Sequence, residues 1–157
     1  MFTTVARAPL PEDYVRLRAS VGWPSPDVEA CARALGATVF GLTAHDEAGR
    51  AVGMGRVIGD GLYLVLVDVV VEPAVQGQGL GARIMDELTG WATASGATHV
   101  ALAADADVAP FYARWGFVQE STAYLRLRGR NRPVQATGQQ AAPAGATTCC
   151  PSAAQVG

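Results

Sequence analysis

Residues 69–82 read Val69-Val70-Val71-Glu72-Pro73-Ala74-Val75-Gln76-Gly77-Gln78-Gly79-Leu80-Gly81-Ala82. An apolar run stops at a proline, and a glycine-rich turn then opens into a helical pattern. Upstream, Leu62 to Val71 is built from Leu, Tyr and Val with a single Asp, the composition of a buried strand. Pro73 has no N–H to give to a ladder, so the strand is expected to end there. Downstream, Ile84, Met85, Leu88, Trp91 and Ala92 recur at intervals of three and four, the spacing of one helix face. Gln76 to Gly81 is therefore the turn entering that helix. Its three glycines lack the Cβ atoms that would hold a ligand off the backbone, and the first amides of a helix have no internal partner. Free N–H groups and the positive end of the helix dipole favour a phosphate or pyrophosphate. The same glycines also suit a tight turn with no ligand, and both readings stand for an isolated motif.

The rest of the chain bounds what such a turn can serve. With 157 residues, half of them hydrophobic, it suits one globular domain with a substantial core. A formal net charge of -2 gives no footprint for nucleic acid or an anionic membrane, so a small-molecule or peptide substrate is favoured. The N-terminal residues lack a basic region followed by an apolar core, and no apolar stretch approaches the roughly 20 residues that span a bilayer. A soluble, cytoplasmic protein is expected. Cys31, Cys149 and Cys150 form neither a disulfide framework nor a metal-ligand spacing, so no metal site is expected, and Cys31 reads as a small buried hydrophobe. Every basic residue is Arg; the sequence contains no Lys.

Pro11 to Ser20, with Glu12 and Asp13 in its first turn, reads as a helix, and Ser25 to Leu35 as a second. Thr38 to His45 and Ala51 to Ile58 read as strands joined by a polar hairpin loop. After the strand from Leu62 and the helix from Gly81 come a strand at His99 to Ala104, a short helix near Ala109 to Trp115, and alternating strand material from Phe117 to Arg128. The fold class expected is mixed α/β, with a mostly antiparallel sheet flanked by helices on both faces. Residues 1–128 form the domain. From 129 to 157 Gln, Ala, Thr, Gly and Pro dominate, a composition that cannot offset its ordering entropy, so a disordered tail is expected.

The spacing Q-x-x-G-x-G after V-x-V-x-P resembles the acetyl-coenzyme A signature of the Gcn5-related N-acetyltransferases, the GNAT superfamily. Phe111, Tyr112, Gly116 and Phe117 spell F-Y-x-x-x-G-F, which resembles the C-terminal helix motif of the same family. The likeness runs from about Val52 to Leu127. It implies an N-acetyltransferase that passes the acetyl group of acetyl-CoA to a primary amine of a small molecule or a peptide N-terminus, within a ternary complex. The backbone of Val69, Val70 and Val71 would pair with the pantetheine arm as an added strand and donate to the thioester carbonyl. The amides of Gly77, Gln78, Gly79, Leu80, Gly81 and Ala82 would hold the pyrophosphate, with Gln76 at the position that opens the motif. A homodimer is compatible with the family.

By the same resemblance Tyr112 lies near the cofactor sulfur, where a phenol can protonate the departing thiolate; it also suits simple packing against the cofactor. A general base is less legible, because apolar residues stand near Val65 and Val100, where relatives carry glutamate, and Asp105 replaces a frequent Asn. Asp68 interrupts an apolar strand, where an unpaired carboxylate is costly, so it needs either a catalytic task or a partner such as Arg56. Glu72, beside Pro73, is expected to be exposed. Trp23 and Arg56 are the candidates for the acceptor pocket, with an internal ion pair the alternative for Arg56. Two rivals remain: a GNAT-fold module that binds an acyl-CoA without turnover, and an NAD-dependent oxidoreductase, since Gly77, Gly79 and Ala82 also fit G-x-G-x-x-A. Against the latter, two helices and three strands precede the motif and no second mononucleotide half follows.

Overall fold

The computed structural model describes residues 1–119. Helix α1, Pro11–Ser20, begins on the proline, whose missing N–H is one a helix leaves unpaired anyway, and carries Glu12 and Asp13 at the positive end of its dipole. Helix α2, Val28–Gly36, starts three residues later than expected. Asp27 is the reason: its carboxylate accepts from the Ala30 N–H at 2.8 Å, which makes it the N-cap and leaves Pro26 outside.

The strands are β1 Thr3–Val5, β2 Phe40–His45, β3 Ala51–Gly59, β4 Tyr63–Val71 and β5 His99–Leu102, side by side in that order. The first three pairings are antiparallel and β4–β5 is parallel. Strand β1, which the sequence reading lacks, pairs Thr3 to Val5 with His45 to Thr43. Helix α3, Leu80–Ala94, supplies the crossover that a parallel pair requires.

The sheet is covered on both faces, as the expected fold class requires. Tyr14, Leu17, Cys31 and Leu35 of α1 and α2 pack with Ala51, Met54 and Val70 on one side. Leu80, Ile84, Met85, Leu88 and Ala92 of α3 pack with Leu42, Ala44, Val52, Val57, Leu64 and Leu66 on the other. Each fully buried aliphatic side chain contributes roughly 1.5–3 kcal/mol. Gly55 lets α3 lie directly on the sheet, since a Cβ there would stand 2.6 Å from Leu88 Cδ1.

After β5 come a short helix α4, Ala109–Tyr112, and a 3-10 turn, Ala113–Trp115, tied to α3 by a hydrogen bond from Trp115 Nε1 to Asp86 Oδ1 at 2.7 Å. Strand β5 stops two residues short of Ala104, and Phe117 to Gln119 are irregular rather than strand. The remaining strand expected up to Arg128, the tail from residue 129, and Cys149 and Cys150 lie outside the described residues.

Candidate active site

Two irregularities in β4 create the site. Pairing with β3 jumps from Arg56↔Val67 to Met54↔Val70, so Asp68 and Val69 together stand opposite Gly55, and Asp68 adopts φ 54°. This is a β-bulge with its extra residue in the left-handed region, which Asp tolerates better than most side chains. The bulge exchanges the two faces of the strand. Before it, Leu64 and Leu66 point at α3; after it, Val70 points at α1 and α2 while Val69 and Val71 pack toward α3.

The second irregularity is a parting. Strand β5 accompanies β4 from Tyr63↔His99 only as far as Leu66↔Leu102. Among the described residues nothing pairs with the outer edge of β4 beyond that point. Glu72 N–H donates to Val52 C=O at 2.9 Å. Antiparallel alternation then commits Val70 to Met54 and turns the N–H groups of Val69 and Val71 toward the open edge. Of the three valines expected to meet the pantetheine arm, two therefore offer edge groups, and Val70 does not. The Val71 carbonyl, on that same edge, accepts from Gln76 Nε2 at 2.9 Å. Gln76 thus braces the turn.

Past Pro73 the chain makes a 3-10 turn, Pro73–Val75, and then passes through Gly77 at φ 75° and Gly79 at φ 80° into α3. The first helical amide with a backbone partner is Arg83, whose N–H donates to Gly79 C=O at 3.1 Å. From Gly77 to Ala82 no N–H donates to a backbone carbonyl among the described residues. A Cβ on Gly77 or Gly79 would meet nothing within 4 Å, so these two are glycine for their positive φ, and the space beside them is open to a ligand. At Gly81 a Cβ would lie 3.7 Å from Phe111 Cζ and 3.8 Å from Val71 Cγ2. Phe111 therefore closes down on the first turn of α3 beside the open edge. The arrangement fits an elongated anionic ligand: an unpaired strand edge for an amide-bearing arm, then six unengaged N–H groups at a helix N-terminus for its phosphates.

Tyr112 follows Phe111, with the two rings edge to face at 5.1 Å, and packs against the α3 core. Its hydroxyl makes no hydrogen bond among the described residues, and burial pushes its pKa above the ordinary tyrosine value. The phenol consequently keeps its proton at neutral pH.

Asp68 occupies the partnered role rather than standing free. It accepts from Tyr14 Oη at 3.0 Å, from Arg56 Nε and Nη2 at 2.9 and 2.6 Å, and from Arg18 Nη1. Arg56, 6% exposed, spends its remaining nitrogen on Thr38 Oγ1 at 2.9 Å, so it is the internal ion pair and presents no guanidinium edge to a substrate. Arg18 also donates to Pro24 C=O at 2.8 Å and lies 5.4 Å from the Trp23 ring centroid. Trp23 is 40% exposed, which leaves it free to wall an acceptor pocket. Glu72, expected to be exposed, is instead 7% exposed. It accepts from Arg50 Nη1 and Nη2 at 2.6 and 2.7 Å and from Arg16 Nη1. Sequence reading assigned none of Tyr14, Arg16, Arg18 and Arg50 as partners of these carboxylates; the signal available was that acids in or beside an apolar strand require counter-charges.

No group of side chains suited to a metal ion occurs among the described residues, and no helix there is long and apolar enough to cross a membrane. Residues 37–119 match the family model of the GNAT acetyltransferase domain. The chain is 39% identical to serotonin N-acetyltransferase 2, chloroplastic, of Oryza sativa subsp. japonica, over 67% of this chain and 54% of that protein. It is 30% identical to a histone acetyltransferase of Glycine max, over 67% of this chain and 50% of that one. The chain therefore spans about half the length of the curated relatives it matches. A solved structure from methicillin-resistant Staphylococcus aureus, a protein of unknown function and probable acetyltransferase, aligns with a TM-score of 0.76 at 30% identity, covering 82% of this chain and 100% of that one.

Proposed function

Because the chain belongs to the GNAT acetyltransferase family, we propose that it transfers the acetyl group of acetyl-CoA to a primary amine by direct attack in a ternary complex. The observation that carries this reading is the continuity of the open edge at Val69 and Val71 with the unpaired amides from Gly77 to Ala82. An acyl-CoA has the matching sequence of groups: thioester, pantetheine amides, pyrophosphate. Coenzyme A held along this path places the thioester at the head of the parting, where an edge N–H can polarise its carbonyl. Such a donor is worth about 100- to 1,000-fold in rate.

The amine attacks the thioester carbon, the carbon–sulfur bond breaks, and the thiolate takes the Tyr112 proton. The proton that the nitrogen carries after attack passes to solvent as the tetrahedral adduct collapses, and the Tyr112 phenolate is reprotonated from solvent. Asp68 and Glu72 are both consumed by arginines, so neither is assigned as base, and the acceptor enters as the free amine. Asp68 is an organiser of the strand in this scheme. Trp23 offers a flat apolar wall, which together with the serotonin-acetylating relative makes arylalkylamines the first acceptors to try, ahead of amino acids and N-terminal peptides.

The test is calorimetric titration with acetyl-CoA, followed by free-thiol release across that panel of amines. Saturable binding with acceptor-dependent release supports the proposal. Binding with no release for any acceptor would make the protein an acyl-CoA sensor, and tight NADH binding with none for coenzyme A would refute the site altogether.

A further inference from the structure

Asp68 and Glu72 bracket the segment Val69–Val71, and each is held by two guanidinium groups, one from α1 and one from β3 or the turn before it. Arg18 and Arg56 grip Asp68; Arg16 and Arg50 grip Glu72. Leu17, between the two α1 arginines, is fully buried in the cluster with Met54 and Val70, so α1 sits on the strand and its arginines reach the carboxylates at either end of Val69–Val71. The two grips differ in what else they hold. Arg18 also binds the Pro24 carbonyl and Ser25 Oγ at 3.1 Å in the loop carrying Trp23, and Arg56 binds Thr38 at the entry to β2. Arg16 and Arg50 hold the last residue before Pro73 and the glycine turn, and Arg16 adds the Ala51 carbonyl at 2.6 Å.

We propose that these are two separate positioning devices for one strand: the Asp68 clamp sets the bulge that aims the Val69 and Val71 amides at the thioester, and the Glu72 clamp sets the glycine turn that receives the pyrophosphate. The inference rests on the acetyl-transfer reading. Its physical basis is that a bulge residue at φ 54° and a strand whose outer edge, among the described residues, is unpaired beyond Leu66 do not fix their own direction, whereas fork-shaped guanidinium pairs do. Arg18 further joins the acceptor-side loop to the bulge, so the acceptor wall and the carbonyl donors share one anchor.

The two clamps should therefore separate kinetically. Asp68→Asn and Arg18→Lys form one pair of variants, Glu72→Gln and Arg50→Lys the other; the lysines keep the charge and remove the fork. Three quantities are read: coenzyme A Kd by calorimetry, kcat at saturating acetyl-CoA with the best acceptor, and amide hydrogen exchange at Val70 in the free protein. In the first pair kcat should fall roughly 10- to 100-fold, a scale typical of misplaced reacting groups. Its coenzyme A Kd should weaken less than that of the second pair, because the pyrophosphate turn is untouched, and Val70 exchange should quicken. In the second pair Kd should weaken at least about tenfold with kcat preserved. Equal effects of both pairs on one parameter overturn the proposal, as does unchanged Val70 exchange in Asp68→Asn. A wild-type protein that binds no coenzyme A would sink the acetyl-transfer reading instead, and Val70 exchange would still decide whether the clamps direct the strand.

Discussion

Replacing Asp68 separates an electrostatic contribution from a backbone one. The side chains of Asp68 and Arg56 are each 8% exposed and that of Arg18 is 19% exposed, so deleting the acid strands two guanidinium groups in a largely dry setting. Breaking a buried pair from one side costs about 3–5 kcal/mol. The backbone adds a second effect, because φ 54° is tolerated by Asn and Gly but costs Ala about 1–2 kcal/mol. Asp68→Asn and Asp68→Gly should thus lose about 3–5 kcal/mol, and Asp68→Ala about 1–2 kcal/mol more. In urea, with an m-value of about 1.5 kcal/mol/M, the first two midpoints should drop by roughly 2–3 M. Melts of the three variants beside wild type measure this directly. An Ala variant as stable as the Gly variant would show that the bulge imposes no conformational demand. All three within about 1 kcal/mol of wild type would refute the buried clamp itself.

Tyr112→Phe should lower kcat by about 100-fold or more, the lower bound for a lost general acid, with coenzyme A affinity changed less than about twofold; an unaltered kcat would remove the phenol from proton transfer. The pH profile follows from Asp68 and Glu72 both being held by arginines: log kcat/KM should climb with slope near +1 up to the acceptor amine's own pKa, about 10 for an alkylamine. Since burial raises the Tyr112 pKa above its usual value, the proton donor stays in its protonated, neutral form across that climb. A plateau already at about pH 7 with such an acceptor would reveal a dedicated base and contradict the assignment. Gly79→Asp places a side chain at φ 80° and a negative charge among the unpaired amides, so it should abolish coenzyme A binding in calorimetry while the protein still folds; retained binding would clear the turn of any phosphate role.

Local chemistry made the glycine turn, α3 and α1 legible, because each is announced within a few residues: Pro11 with Glu12 and Asp13, the positive-φ glycines, the face from Ile84 to Ala92. Strand β1 escaped because Thr3–Val5 carries no periodicity of its own and exists through pairing with residues some forty positions away. The face exchange in β4 was illegible for a related reason. A run of valines buried on both sides has no alternation to read, so one Asp could shift the register unseen. Glu72 illustrates the limit for the site. Its neighbour Pro73 suggests an exposed strand end, yet its burial is decided by Arg16 and Arg50, whose approach depends on how α1 crosses the sheet.

The parting of β4 from β5 also bears on how the folded state responds to its surroundings. Among the described residues the sheet is left one strand short there, and exposed edges recruit other chains. A bound arm lying along Val69 and Val71 would complete the sheet, making the ligand a removable strand. Binding only to the folded state at a hundred times Kd adds about 2.7 kcal/mol, comparable to closing a small disulfide loop. Thermal stability of this protein should then track the supply of its acyl donor, with the empty form the one exposed to self-association and proteolysis.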